Sequence, residues 1–197
     1  LFALAIACGQ APPAVQVTPT EAVDLGSTAM VGRSLKRMDI DQLDASLVQL
    51  TGVRWTEVVD GETVALFEEL SGSLGKPDYQ ASTDEDRTPG LLFEKFLDDA
   101  ARKTCRELVA REQSPGAEDR RFLVHAQLID RPGTGDAAID ANLSEALLRF
   151  HGHRATDEER AAWRGLFDAV HDATGDTAES WRAVCVALLT HPSFYGY

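Results

Sequence analysis

Gly90-Leu91-Leu92-Phe93-Glu94-Lys95-Phe96-Leu97-Asp98-Asp99-Ala100-Ala101-Arg102-Lys103-Thr104-Cys105-Arg106-Glu107-Leu108, running on to Glu112, decides the fold class. Leu92, Phe93, Phe96, Leu97, Ala100, Ala101, Cys105 and Leu108 recur at spacings of three and four, the period of a helix that buries one face. Pro89 suits its first turn. Upstream, Ile40, Leu43, Leu47 and Leu50 repeat the pattern, with Asp39 to cap the start and Gly52 to end it. A shorter helix is expected over residues 62–70, closed by the breaker cluster 71–75. Residues 75–90, with Pro77 and Pro89 around Asp84-Glu85-Asp86, read as a solvated loop. Short strands around residues 55–59 fit the composition, yet nothing there builds a sheet.

Downstream, residues 118–129 read as a helix ended by Pro132-Gly133-Thr134-Gly135. Residues 136–150 carry Ile139, Leu143, Ala146, Leu147 and Phe150 on one face. Thr156 and Glu159 form a capping box, and Trp163, Leu166, Phe167 and Val170 give the buried stripe of the helix it opens. Gly175 stops that helix, Thr177 caps the next, and Trp181, Val184, Cys185, Leu188 and Leu189 face inward until His191-Pro192 breaks it. The expectation is an all-α chain: a single orthogonal-type helical domain of about seven helices over residues 31–197.

The 197 residues hold 44% hydrophobic and 26% charged side chains, so a packed globular core is expected rather than a disordered chain. Nineteen Lys and Arg stand against 32 Asp and Glu, a net charge of -13 that repels phosphate backbones and argues against nucleic acid. The first eight residues are almost all apolar and end at Cys8. They are too short to span a bilayer, which takes about 20 residues, and no initiator Met opens them. They are read as a signal-peptide remnant. Leu4-Ala5-Ile6-Ala7-Cys8 resembles the lipobox of bacterial lipoproteins, which implies a lipidated Cys8, a membrane attachment by lipid anchor only, and a periplasmic protein held at the outer membrane because Gly9, not Asp, follows. Residues 9–30, with Pro12, Pro13 and Pro19, read as an extended tether.

With Cys8 acylated, Cys105 and Cys185 remain as a pair in an oxidising compartment, and a disulfide between them is expected. Two buried free thiols are the alternative. No CxxCH or CxxC sequence occurs, so neither c-type haem nor a zinc ribbon is implied, and no cofactor is expected.

The block Leu148-Arg149-Phe150-His151-Gly152-His153-Arg154-Ala155-Thr156-Asp157-Glu158-Glu159, the helix after it, and Leu188-Leu189-Thr190-His191-Pro192-Ser193-Phe194-Tyr195 resemble a helical domain of unknown function. That domain occurs in large secreted planctomycete and myxobacterial proteins that also carry c-type cytochrome modules. Arg33-Ser34-Leu35-Lys36-Arg37 and Phe93-Glu94-Lys95-Phe96-Leu97-Asp98-Asp99-Ala100-Ala101 are similar to further segments of the same set, its small lipoproteins included. Gly152, His153 and Ala155 depart from the family's basic, proline and leucine positions, and the cytochrome module is missing. The resemblance implies a protein partner in the envelope, cytochrome-containing partners among them, and supplies no catalytic residue. It also implies that Phe194 plugs the last two helices, and that Tyr195 and Tyr197, ending where relatives continue, lie on a partner-binding surface.

Among the residues themselves, His151 and His153 are the candidate metal ligands, with His125, His171 or His191 to join them. The family's basic residues at this connection imply instead that the pair closes helix ends on the surface. Asp39, Asp41 and Asp44 lack the glycine of a calcium loop, and Asp84-Glu85-Asp86 read as solvated charge. No GxSxG elbow and no phosphate-binding glycine fingerprint is present. The leading functional expectation is therefore a non-catalytic envelope lipoprotein that docks an exported partner or a periplasmic redox complex. A histidine-dependent metalloenzyme and an accessory electron-transfer subunit are the alternatives.

Overall fold

A computed structural model describes residues 35–76, 80, 85–113 and 119–197. Cys8, the tether and Asp84 lie outside these residues. Among the described residues the chain is all-α, with seven helices and one small hairpin. In chain order these are α1 (Ile40–Thr51), β1 (Thr56–Val59), β2 (Glu62–Ala65), α2 (Leu66–Leu70), α3 (Leu91–Glu112), α4 (Asp136–His151), α5 (Asp157–Thr174), α6 (Thr177–Thr190) and α7 (Pro192–Tyr195).

Helix α6 is central because both of its long neighbours, α3 and α5, pack on it. Its buried Trp181 meets Phe167 of α5 at 4.7 Å between ring centroids, and Phe122 at 5.7 Å edge to face. Cys105 of α3 and Cys185 of α6 are both fully buried, and their sulfurs lie 1.99 Å apart with Cα atoms at 5.8 Å, the placement of a disulfide. Phe93, near the start of α3, meets Tyr195, beyond the end of α6, so the two helices run antiparallel. Arg164 of α5 binds Asp136 and Asp140 of α4 as well as its own Asp168, which fixes α4 against α5.

Local signals set most helix ends. Asp39 and Thr156 each complete a capping box, and Gly52, Gly152 and Gly175 end α1, α4 and α5 in the left-handed conformation. Two ends differ from the sequence expectation. Asp176, not Thr177, caps α6 by accepting from the Ala178 and Glu179 N–H groups. Pro89 lies just outside α3, whose N-cap is Gly90.

The expected helix over 62–70 is a hairpin followed by a five-residue helix. Asp60 (φ 51°) and Gly61 (φ 86°) both take positive φ between Val59 and Glu62, the two-residue turn whose twist matches paired strands. Thr63 and Val64 then favour strand over helix.

The expected helix over 118–129 does not form over its described part. Phe122, Leu123 and Ala126 are buried at helical spacing, but the backbone N–H groups of Arg121, Phe122, Leu123 and His125 are held by side chains from elsewhere. The Glu112 carboxylate, at the end of α3 and only 1% exposed, accepts from the N–H groups of Arg121 (2.7 Å), Phe122 (3.0 Å) and Leu123 (2.7 Å). Asn142 Oδ1 of α4 accepts from His125 N–H at 3.0 Å. These donors then have no need of a helical ladder.

Candidate functional site

Three of the five histidines meet where α4 ends and α6 gives way to α7. The His151 and His191 rings stack at 4.9 Å, His151 and His153 at 6.1 Å, and Trp163 of α5 presents its ring at 5.7 Å from His151. The reason lies in Pro192. The Leu188 carbonyl of α6 would ordinarily accept from the N–H four residues on, and proline has none. His151 supplies the donor from another helix, its Nε2 lying 3.1 Å from Leu188 O. Because a carbonyl only accepts, Nε2 carries the proton and the ring is neutral at Nδ1. His153 Nε2 contacts Glu159 Oε1 at 3.1 Å, and His191 Nδ1 accepts from Ser193 N–H at 3.1 Å, capping α7.

The rings therefore lie face over face, each oriented by a different partner. Among the described residues no group of three or more His, Cys, Asp or Glu side chains is arranged to hold a metal ion. The cluster's chemistry is protonation. Burial, opposed by the Leu188 hydrogen bond and aided by the neighbouring His191 and His153, pushes His151 down to about 4 from 6.5. Burial also lowers His191. Below pH 6.5 the unfolded chain binds a proton that the native His151 refuses, so stability falls as pH drops through 6.5 and levels off below about 4. The expected loss from His151 is about 3 kcal/mol. Urea unfolding at pH 7 and pH 4.5 checks this: His151→Gln should flatten the pH dependence, and an unchanged slope would refute the assignment.

The expected tyrosine surface divides in two. Tyr195 is 5% exposed, its ring edge-on to Phe93 at 5.3 Å, so its placement at a docking surface is corrected. Phe194 is buried as the plug reading requires. Tyr197 is 54% exposed. Tertiary pairing makes the difference, because the chain end runs antiparallel to residues 36–38. Met38 N–H donates to Tyr195 O at 2.7 Å, Tyr197 N–H to Lys36 O at 2.9 Å, and Lys36 N–H to Tyr197 O at 3.2 Å. A Cβ on Gly196 would sit 2.5 Å from Leu35 Cδ1 and 2.8 Å from Pro192 O, so only glycine fits there.

Arg37 locks this closure from beneath. Its side chain is nearly inaccessible (1% exposed residue), donates to Leu74 O and Asp86 O at 2.6 Å each, and lies 4.9 Å over the Phe93 ring. Glu85, expected in a solvated run, instead faces Arg37 at 3.6 Å and Arg87 at 3.4 Å. Arg87 in turn donates to the Tyr197 hydroxyl at 2.9 Å. Deleting Gly196 and Tyr197 should consequently lower stability by about 1–2 kcal/mol, the worth of the strand pair and this contact. A melting temperature unmoved by the deletion would contradict the pairing. Asp39, Asp41 and Asp44 serve a helix cap and ion pairs with Lys76 (2.7 Å) and Arg54 (2.6 Å) respectively.

No protein-family model, curated protein or solved structure matches this chain.

Proposed function

We propose that this protein is an exported helical docking module of a bacterial cell envelope, anchored by lipid at Cys8 on the periplasmic side and acting by binding another protein. The observation that carries the reading is the Cys105–Cys185 placement: two fully buried sulfurs at bonding distance join the two helices of the core, a device suited to an oxidising compartment. The apolar run ending at Cys8 fits export and acylation. The acidic surface, at a net charge of -13, suits a protein partner better than a nucleic acid. The polar side chains gathered around Arg37 and at the histidine junction satisfy backbone carbonyls, which is a structural task.

The test is intact-mass analysis of the protein extracted with detergent from its native envelope, with thiols counted in denaturant without reductant. Expected are a chain that starts at Cys8, added acyl mass, and no thiol at Cys105 or Cys185. Two titratable thiols at those positions, or a mature chain retaining Leu1, would overturn the export reading.

A further inference from the structure

Helix α6 is covered by α3 on one flank and α5 on the other, and a second face of it remains only half-buried. That face carries Ala183, Val186, Ala187 and Thr190, spaced as one stripe along the helix. One wall of the resulting groove is Leu166 and Val170 of α5, apolar and four residues apart. The other wall is α3, and it is charged: Arg102 and Arg106 line the groove one turn apart.

The charge count sets what can sit there. Arg102 is bound to Asp98 at 2.8 Å and Arg182 to Glu179, whereas Arg106 has no ion pair among the described residues. Three guanidinium groups thus line the groove with two carboxylates, leaving positive charge on one wall of a chain whose net charge is -13. Such a local reversal favours an anionic edge opposite α3. The twelve residues from Glu179 to Thr190 extend about 18 Å, room for about three helical turns.

Resting on the docking reading above, we infer that this groove receives an amphipathic α-helix of a partner protein, apolar toward α6 and α5 and bearing carboxylates along the edge that faces Arg102 and Arg106. This is the helix-in-groove mode, in which apolar anchors at one-turn spacing give affinity and the charged edge sets orientation.

The experiment uses the full chain and two synthetic, fluorescein-labelled helical peptides of about 16 residues. Both carry Leu on one face; one has Glu and the other Lys along the edge. Anisotropy titration should show saturable binding of the Glu-edged peptide and none of the Lys-edged one. Ala187→Arg should abolish binding. Arg106→Glu, at an exposed position that leaves the core intact, should weaken the Glu-edged peptide about tenfold and admit the Lys-edged one. Absence of saturable binding, or binding indifferent to both substitutions, overturns the proposal. Binding that appears only after removal of residues 1–34 makes this chain's own segment the occupant, and a dimer dissolved by Ala187→Arg makes it a second copy; either result also overturns it. Acylated Cys8 without groove binding leaves the export reading standing and removes this surface, while groove binding without acylation does the reverse.

Discussion

Replacing both Cys105 and Cys185 by alanine should cost about 4.5 kcal/mol of stability, the largest effect expected from any pair of substitutions here. The bridge closes a sequence separation of 80 residues, and on the chain-entropy account a loop of that length restricts the unfolded ensemble by about this amount. For a domain of this size about 10–15 °C of melting temperature would go with it. The effect is larger than its two small side chains suggest because it acts on the unfolded chain, which the cross-link between α3 and α6 prevents from separating these distant segments. Urea unfolding of the oxidised protein beside the double variant measures it. Equal midpoints would mean that the sulfurs contribute no cross-link.

Glu112→Ala should cost about 4 kcal/mol, comparable to the loss of the bridge although it removes one side chain. The buried carboxylate takes three consecutive N–H groups, from Arg121, Phe122 and Leu123. Without it these donors have no acceptor, and each buried unsatisfied group costs about 1–3 kcal/mol. Glu112→Gln keeps one acceptor oxygen and should fall between the two. Hydrogen exchange distinguishes this account from general destabilisation: amides 121–123 should lose protection first, ahead of α3 and α6. Uniform loss across the domain would refute a local role for the carboxylate.

The same contrast separates what sequence reading reached from what it missed. Helices α1, α3, α4, α5 and α6 were legible because each carries a stripe of period 3.6, joined in α1 and α5 by a capping side chain and a terminal glycine, in α4 by a terminal glycine and in α6 by a capping side chain. The hairpin was legible too, in Asp60-Gly61 beside β-branched residues, and a helical reading of 62–70 passed over that signal. Residues 119–129 were not legible. Phe122, Leu123 and Ala126 have helical spacing, and the acceptors that override it belong to Glu112 and Asn142, on two other helices.

The histidine junction and the pairing of residues 36–38 with 195–197 lay beyond sequence reading for a related reason. His151 and His153 look like a pair along the chain, but Pro192 gives His151 its role by leaving a carbonyl without a donor, 37 residues away. Arg37 shows nothing in sequence of a cation held by the carbonyls of Leu74 and Asp86, and Tyr195 shows nothing of a ring packed edge-on to Phe93 while its carbonyl accepts from Met38. The all-α class, the five principal helices and the core-facing cysteines follow from local signals, because periodicity, capping and turn chemistry act between near neighbours. The burial of polar groups, the non-helical path of residues 119–129 and the pairing of 36–38 with 195–197 follow only from tertiary packing. Those outcomes depend on satisfying each buried donor and acceptor with a partner that chain order does not place nearby.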